Sequence, residues 1–548
     1  MKKVAFTIAF AVTAVQLSVA QDTYEGAKLM TTDLNGTARY VGMGGALEAL
    51  GADITTMGTN PAGIGLFRHS TFQTSFSVVS QQDAVKFGET GKTHVSFDQA
   101  GFVYSTQTGP QSFVNLGFNY RKSRNFNQIL SAANSLRRGS LNQVGYAKFD
   151  KDNVNRGGYN LDWNTDGDLM GFENNGENAY RANTFTQVDY LYMNAFNAWP
   201  KNGDDNDIEI GYLDGSTDPD AYIYHNGQRG WISDFDINLS GNVNDRVYLG
   251  LTVGIHDVNY KSTTEYAEKL IFADGTSAGN TLLADEREVT GTGVDIKVGI
   301  IFRPIEFSPF RVGLAVSSPT WYDLKTSNST QFYNNCYQQG IGLWEKGENG
   351  ETYEFKMYTP WKFDVSLGHT IGRQLALGAT YEYSDYSTMD MRVNDGYDYY
   401  GNTDSHSDRE MNNQTDRTLK GVHTLKLGAE LKPDPVMAVR LGYNYVSPMY
   451  EENGVRDMTV NSIGVMYSST NDYVNWKDTH RITCGLGYKY DGWNFDIAYQ
   501  YSTTKGTFHP FQPNTSFDFD GATVTNVPQT AEVANKRHQI LATVGYTF

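Results

Sequence analysis

Strict two-residue alternation recurs along this 548-residue chain and limits what it can fold into. In 246–256 (RVYLGLTVGIH), Val247, Leu249, Leu251, Val253 and Ile255 share one face, with Arg246, Tyr248, Gly250, Thr252, Gly254 and His256 on the other. The pattern returns in 374–383, in 481–490 and at the C-terminus. There Ile540, Ala542, Val544, Tyr546 and Phe548 alternate with Gln539, Leu541, Thr543, Gly545 and Thr547. A period of two marks a strand with one apolar face and one polar or glycine face. Fourteen strands are predicted, near 69–81, 93–107, 112–122, 230–242, 246–258, 286–303, 308–322, 352–370, 373–388, 419–431, 436–447, 479–490, 492–504 and 535–548. The fold class is therefore all-β.

A soluble sandwich would also alternate. Two features favour a closed transmembrane antiparallel β-barrel instead. Aromatic residues (36 Tyr, 29 Phe, 8 Trp) concentrate at strand ends, where interfacial girdles require them. Connections after even-numbered strands are tight (108–110, 242–245, 304–307, 371–372, 432–435 and 491). Those after odd-numbered strands are long (82–92, 123–229, 259–285, 323–351, 389–418, 448–478 and 505–534). This asymmetry is typical of outer-membrane barrels, and an even strand count lets the sheet close without edges. A mean hydropathy of −0.49, and no run of about 18 apolar residues after position 20, exclude a helical membrane protein. The formal charge of −18 argues against a nucleic-acid partner.

Residues 1–20 read as a cleaved signal peptide: Lys2 and Lys3 precede an apolar stretch, and Ser18-Val19-Ala20 fits the small-x-small rule. Residues 21–68 do not alternate. They are rich in Gly and Ala, with a short helical stretch around Ala46–Leu50. A fourteen-stranded lumen is too wide for its own side chains to fill. This segment has the volume to plug it, leaving 69–548 as the barrel, with 123–229 its largest loop. The terminal aromatic Phe548, with Tyr546 before it, reads as an assembly signal for the outer-membrane barrel machinery.

Enzymatic motifs carry little here. A dinucleotide fingerprint starting at Gly42 and Gly44 fails at Leu47 and follows no strand. Gly275-Thr276-Ser277-Ala278-Gly279 spells a nucleophile elbow, but within a polar loop. No H-E-x-x-H occurs. The acidic run Asp204, Asp205, Asp207, Glu209, Asp214, Asp218 and Asp220 lacks calcium-loop spacing and reads as a solvated face. Cys336 and Cys484, on a loop and on a lipid-facing strand position, are expected to be unpaired. No enzyme activity, cofactor or metal is predicted.

Asn60-Pro61-Ala62-Gly63 and the following Ile64-Gly65-Leu66-Phe67-Arg68 precede the first strand. With Ser317-Ser318-Pro319-Thr320-Trp321-Tyr322, they carry a resemblance to the FadL/TodX family of outer-membrane transporters, in its Bacteroidetes-like form. The resemblance implies an N-terminal hatch folded inside the barrel, held by Asn60, Pro61, Ala62 and Gly63. It also implies capture of a hydrophobic ligand by extracellular loops, with Tyr266, Leu270, Ile271, Phe272, Phe332, Tyr333, Leu343 and Trp344 as candidates. In the large loop, Phe126, Ile129, Leu130 and Ala133 have helical spacing and predict an amphipathic helix over 125–136.

The function expected is passive outer-membrane uptake of hydrophobic molecules, of the long-chain fatty acid or aromatic hydrocarbon class, by a monomeric, lipid-embedded channel. The alternative is a barrel that shuttles or assembles secreted surface proteins. A hydrolase using Ser277 ranks last.

Overall fold

The computed structural model describes residues 22–147, 217–335, 347–397, 403–519 and 522–548, with short pieces between 160 and 209. The wall is built in chain order from β1 (Thr71–Gln81), β2 (Thr93–Gly109) and β3 (Ser112–Asn125, continued by Gln128–Ser135). Then come β4 (Thr217–Val243), β5 (Val247–Phe272), β6 (Ser277–Phe302) and β7 (Arg311–Ser317 and Trp321–Asn334). They are followed by β8 (Gly347–Tyr358 and Lys362–Ile371), β9 (Leu375–Asp385, with an outer arm Asp390–Tyr397) and β10 (Gly421–Leu431). The wall ends with β11 (Met437–Val446), β12 (Tyr473–Tyr490), β13 (Trp493–His509) and β14 (Ala531–Thr547). Each pairs antiparallel with its sequence neighbour, and β14 returns to β1 from Thr71↔Thr547 to Gln81↔Arg537. Closure pairs the first wall strand with the last, so the wall itself has no terminal edge strand. Prolines, which lack an N–H for the ladder, stand at the breaks in β7 (Pro319) and β8 (Pro360).

Burial is inverted relative to a soluble protein. On β5, Leu249, Leu251, Val253 and Ile255 are exposed, while Tyr248, Gly250, Thr252, Gly254 and His256 face inward. The same holds around the wall, for example at Phe76 on β1, Leu239 on β4, Val365 on β8, Leu441 on β11 and Ile540 on β14. A continuous apolar exterior of this extent has water as a poor solvent and lipid as its natural one.

Both borders of the band carry aromatics. At the upper border one device occurs three times: a Tyr-x-Tyr on an odd strand faces a histidine on the next. Tyr383 pairs with His423, Tyr445 with His480 and Tyr501 with His538. In each case the first tyrosine reaches the histidine Nδ1: Tyr381 at 2.6 Å, Tyr443 at 2.7 Å and Tyr499 at 2.9 Å. At the lower border Trp493 packs at a tilt against Tyr546, which stacks on Phe548. Amphipathic rings hold such interfaces in place.

Several sequence expectations are corrected by the fold, among them the loop expected over 323–351, whose ends belong to the paired strands Trp321–Asn334 and Gly347–Tyr358. Residues 259–285 are not a loop: β5 and β6 continue as a tall hairpin, closed only by the turn at 273–276. Beyond Ile255 the outward positions become Asp257, Asn259 and Lys261, so the extension stands clear of the lipid. Residues 125–136 are not a helix. Gln128–Ser135 is a strand, registered against Ala221–Gln228 of β4. Its apolar spacing suits a helix, but pairing with β4 satisfies every second backbone group, so tertiary context overrides the local signal.

The N-terminal segment forms α1 (Thr23–Met30), α2 (Ala38–Gly42) and two 3-10 turns, Ile54–Gly58 and Pro61–Leu66. Each has a side-chain N-cap that accepts from orphan N–H groups: Asp22, Thr37, Asp53 and Asn60. The helix expected at Ala46–Leu50 lies earlier, in α2. Residues 43–50 form tight turns instead, because Gly44 and Gly45 take positive φ.

Candidate functional site: the occupied lumen

The N-terminal segment packs against inward-facing positions of the wall, and at its lower end it meets glycine almost everywhere. Gly368, Gly378, Gly428 and Gly442 pair directly across four adjacent strands, β8 to β11. A Cβ at Gly378 would fall on the Ala46 carbonyl, at Gly428 on that of Met43, and at Gly442 on the Gly44 amide. Across the barrel, Gly250 and Gly299 are paired and take Pro61, Ala62 and Asn60. Gly101 takes Ile54, Gly117 takes Met57, and Gly485 lies against Gly42 Cα. Absence of side chains lets backbone approach backbone. The reciprocal position Gly44 has φ +64°, and a Cβ there would sit 2.7 Å from the Tyr443 amide.

Charge pairs tie this floor to the wall. Arg39 Nε lies 3.1 Å from Glu430, and Lys426 Nζ lies 3.0 Å from both Glu48 and Glu382. Thr380 donates to Glu48 at 2.6 Å, and the Ala38 amide donates to Thr543 at 2.7 Å. Glu48 is fully buried, so removing its partner would leave an uncompensated charge.

Asn60 is also fully buried. Its Oδ1 accepts from the Ala62 amide at 3.1 Å and caps the 3-10 turn that Pro61 begins. Its Nδ2 lies against Gly313 and has no hydrogen-bond partner among the described residues. The side chain thus makes one of the four bonds an asparagine can make. Ala62 packs with Tyr248 and Ile301, and the Gly63 amide donates to the Asn60 carbonyl at 3.0 Å.

At the upper end α1 occupies an apolar chamber. Tyr24, Ala27, Leu29 and Met30 pack with Phe126, Tyr260, Met357, Met389, Met391, Met411 and Met458. Arg456 holds the N-cap Asp22 through Nε at 3.0 Å, and Tyr24 stacks on Tyr450 at 5.0 Å. Within α1, Glu25 accepts from Lys28 at 2.8 Å, with Arg287 3.9 Å away. Burial alone would push the Glu25 carboxyl up, but Lys28, Arg287 and Arg456 outweigh it and hold it at about 2.

Between chamber and floor lies a cavity of about 250 Å³. Its lining includes the apolar Leu29, Met30, Ile232, Tyr386, Val422 and Met449 together with Arg124, Arg481 and Arg537, and two of these arginines, Arg124 and Arg537, lie within 4 Å of Asp33. Burial would raise the Asp33 carboxyl, yet Arg124, Arg537 and Arg481 together hold it below its ordinary value.

The capture candidates lie higher still. Tyr266, Leu270 and Phe332 are buried in a cluster with Leu141, Val188, Leu191 and Tyr192, from helices α3 (Leu141–Ala147) and α4 (Gln187–Ala195). Phe332 meets Tyr192 at 4.4 Å, and the Tyr266 hydroxyl donates to Glu268. Phe272 packs on the edge of this cluster, while Leu343, Trp344 and Cys336 fall outside the described residues. So does most of the acidic run, and no metal-binding group of three or more His, Cys, Asp or Glu side chains occurs among the described residues. Ser277 is exposed at the tip of the β5–β6 hairpin. The inward parity of Arg481 and Lys426 is readable from alternation, but their convergence with Asp33 and Glu48, hundreds of residues away, is not.

Fold and lumen together define a membrane-spanning β-barrel of the outer-membrane type, with part of its own chain inside. No protein-family profile matches the sequence, and no curated protein matches it significantly. Among solved structures, the chain is similar to a Pseudomonas aeruginosa FadL homologue (12% identity, 94% of this chain and 99% of that one, TM-score 0.46). It is also similar to the Ralstonia pickettii toluene transporter TbuX (13%, 94% and 99%, TM-score 0.46). A third is the P. putida toluene transporter TodX (13%, 94% and 99%, TM-score 0.45).

Proposed function

We propose that this protein is an outer-membrane channel through which small hydrophobic molecules pass down their gradient, the long-chain fatty acid or aromatic hydrocarbon class being the substrates. The observation that carries this reading is the position of α1. A helix of the chain itself fills a methionine-rich apolar chamber in a lumen whose floor is closed by the same segment. Methionine is unbranched and polarizable, so such a chamber can repack around a different occupant. Residues 22–66 then act as the hatch. A ligand that takes the place of α1 shifts the segment between packed and displaced states, and only differential affinity for the two drives that shift. Asn60, Pro61, Ala62 and Gly63 form the pivot against the floor, and the hydrophobic cluster around Tyr266, Leu270, Phe272 and Phe332 is the first capture surface. Export removes residues 1–20, and the barrel acts as a monomer.

The test is uptake into vesicles carrying the purified barrel, using a fluorescent long-chain fatty acid and toluene as probes and a sugar as control. Faster entry of at least one apolar probe is expected, and it should change when residues 22–66 are deleted. Entry no faster than into protein-free vesicles would sink the channel reading.

A further inference from the structure

We propose that the outer end of the barrel binds a calcium ion between the tall β5–β6 hairpin and the loop that leads into β12, with Asp285, Asp472, Asn471 and Thr264 as its ligands. A small cavity of about 10 Å³ lies there, lined by Thr264 of β5, Asp285 of β6 and the consecutive Thr470, Asn471 and Asp472. That is room for a single ion or a single water molecule. Thr264 and Asp285 stand directly opposite each other on the inward face of the hairpin, in the part that rises clear of the lipid.

Both carboxylates are oriented but not neutralised. Thr330 donates to Asp285 Oδ1 at 2.8 Å, and Tyr224 donates to Asp472 Oδ2 at 2.6 Å. Among the described residues the second oxygen of each accepts no hydrogen bond, and neither acid forms an ion pair. The nearby cations are committed elsewhere. Arg287 donates to Ser469 at 2.7 Å and lies 3.9 Å from Glu25, while Arg456 holds Asp22 and the Asp472 carbonyl. Asp285 is 2% exposed and Asp472 partly buried, and a carboxylate withdrawn from water without a counter-ion is costly.

Asn471 is an independent sign of a ligand. It is 2% exposed and lines the cavity, yet neither its Oδ1 nor its Nδ2 has a hydrogen-bond partner among the described residues. Buried amides are rarely left so. A water molecule would satisfy the amide and leave both carboxylates uncompensated; a cation answers the charge and takes Oδ1 as a neutral ligand. Thr264 Oγ1, which accepts from Asn226 at 2.7 Å, adds a further oxygen. The lining offers no imidazole or thiolate, so a hard cation is favoured over zinc or copper. Ligands drawn from two strands and a loop suit the flexible coordination of calcium better than the strict octahedron of magnesium. The bound ion ties residues 470–472 to the hairpin. The same loop holds α1, since Arg456 and Ser468 both bond to its N-cap Asp22, at 3.0 and 3.4 Å. Calcium thereby steadies α1 in its chamber; this last step rests on the hatch reading, and the ion site does not.

The test is equilibrium dialysis of radioactive calcium against the purified full-length barrel in neutral detergent, after treatment with a chelator, with the heat-modifiable gel shift as the check on folding. One site is expected, with a dissociation constant on the order of 10⁻⁴ to 10⁻³ M, as in extracellular calcium modules. Asp285→Asn and Asp472→Asn should each weaken binding by about tenfold or more, because ligand charge sets affinity. Asn471→Asp, which adds a carboxylate, should tighten it. A triple variant of the acidic run, Asp204→Asn with Asp205→Asn and Asp207→Asn, should bind like the wild type. No saturation by about 10 mM calcium, well above that range, would overturn the proposal. Binding lost in the triple variant but kept in Asp285→Asn would do the same, and magnesium binding as tightly as calcium would overturn the choice of ion. Should the Asp285 and Asp472 variants fail to fold, Asn471→Asp decides, and unchanged affinity there refutes the site. Calcium should also slow trypsin cleavage after Lys28; binding without that protection would refute the hold on α1 and leave the ion site standing. Vesicle uptake of an apolar probe by a barrel that binds no calcium would remove this site and leave the channel reading intact.

Discussion

Asn60 caps a 3-10 turn with one hydrogen bond, worth about 1 kcal/mol net, and is enclosed by Gly299 and Gly313. Asn60→Ala should therefore leave the barrel folded and loosen the floor slightly. The expected outcome is a modest rise in single-channel conductance with an unchanged heat-modifiable shift; loss of folded barrel would make the residue structural and not a pivot. Glu25 gives a pH dependence. Its carboxyl is held at about 2, against an ordinary 4.5, so its stabilising charge is complete above the higher value and is lost as pH falls toward the lower. Pepsin cleavage within 22–33, normalised to a denatured control, should rise across that window. Glu25→Gln should be cleaved readily at its upper end already. A flat wild-type profile would show that α1 is not held by this ion cluster.

At the scale of elements, the floor is a contact between an irregular segment and a belt of wall glycines. Gly442→Val would place a side chain where the Gly44 amide now sits, facing neither lipid nor solvent. Strand pairing and the outward band are untouched, so the barrel should assemble while residues 42–46 are displaced. Planar-bilayer conductance well above that of the Asn60 variant is expected, and wild-type conductance would refute the seal. Leu441→Val, one residue away but outward, is the control. The end of β14 makes a different prediction. The Phe548 amide donates to the Ser70 carbonyl at 3.0 Å, but the residue is 69% exposed, its ring stacked along Tyr546. Its deletion should lower the amount of folded protein in the outer membrane while the barrels that do assemble transport normally; normal assembly with poor transport would reverse the assignment.

For the whole molecule, the inverted burial pattern sets where reagents can reach. Cys484 points outward from β12, between Leu441 of β11 and Tyr499 of β13, within the apolar band. In a Cys336→Ser background, an apolar maleimide should label it in intact membranes and a charged maleimide should not. Equal labelling by both would place this face of β12 in water and contradict the membrane reading.

The sequence by itself determined the wall. Alternation is a local property: each strand's inward and outward sets follow from its own residues, so Leu249 and Ile255 faced lipid, and Gly250 and His256 faced the lumen, on paper as in space. The short turns and the even strand count followed from the same rhythm. Alternation also placed Gly250, Gly378 and Gly485 on the inner face, but what they accommodate was not legible, because close approach involves residues more than 180 positions away. The tertiary structure alone decided three things. Pairing with β4 turned helix-patterned 128–135 into a strand, because backbone groups bonded across strands outweigh a short-range preference. Continued pairing of β5 with β6 raised an apparent loop into a hairpin. And the convergence of Asp33 with Arg124, Arg481 and Arg537 required the barrel to close, since strands β3, β12 and β14 share a lumen only once β14 meets β1.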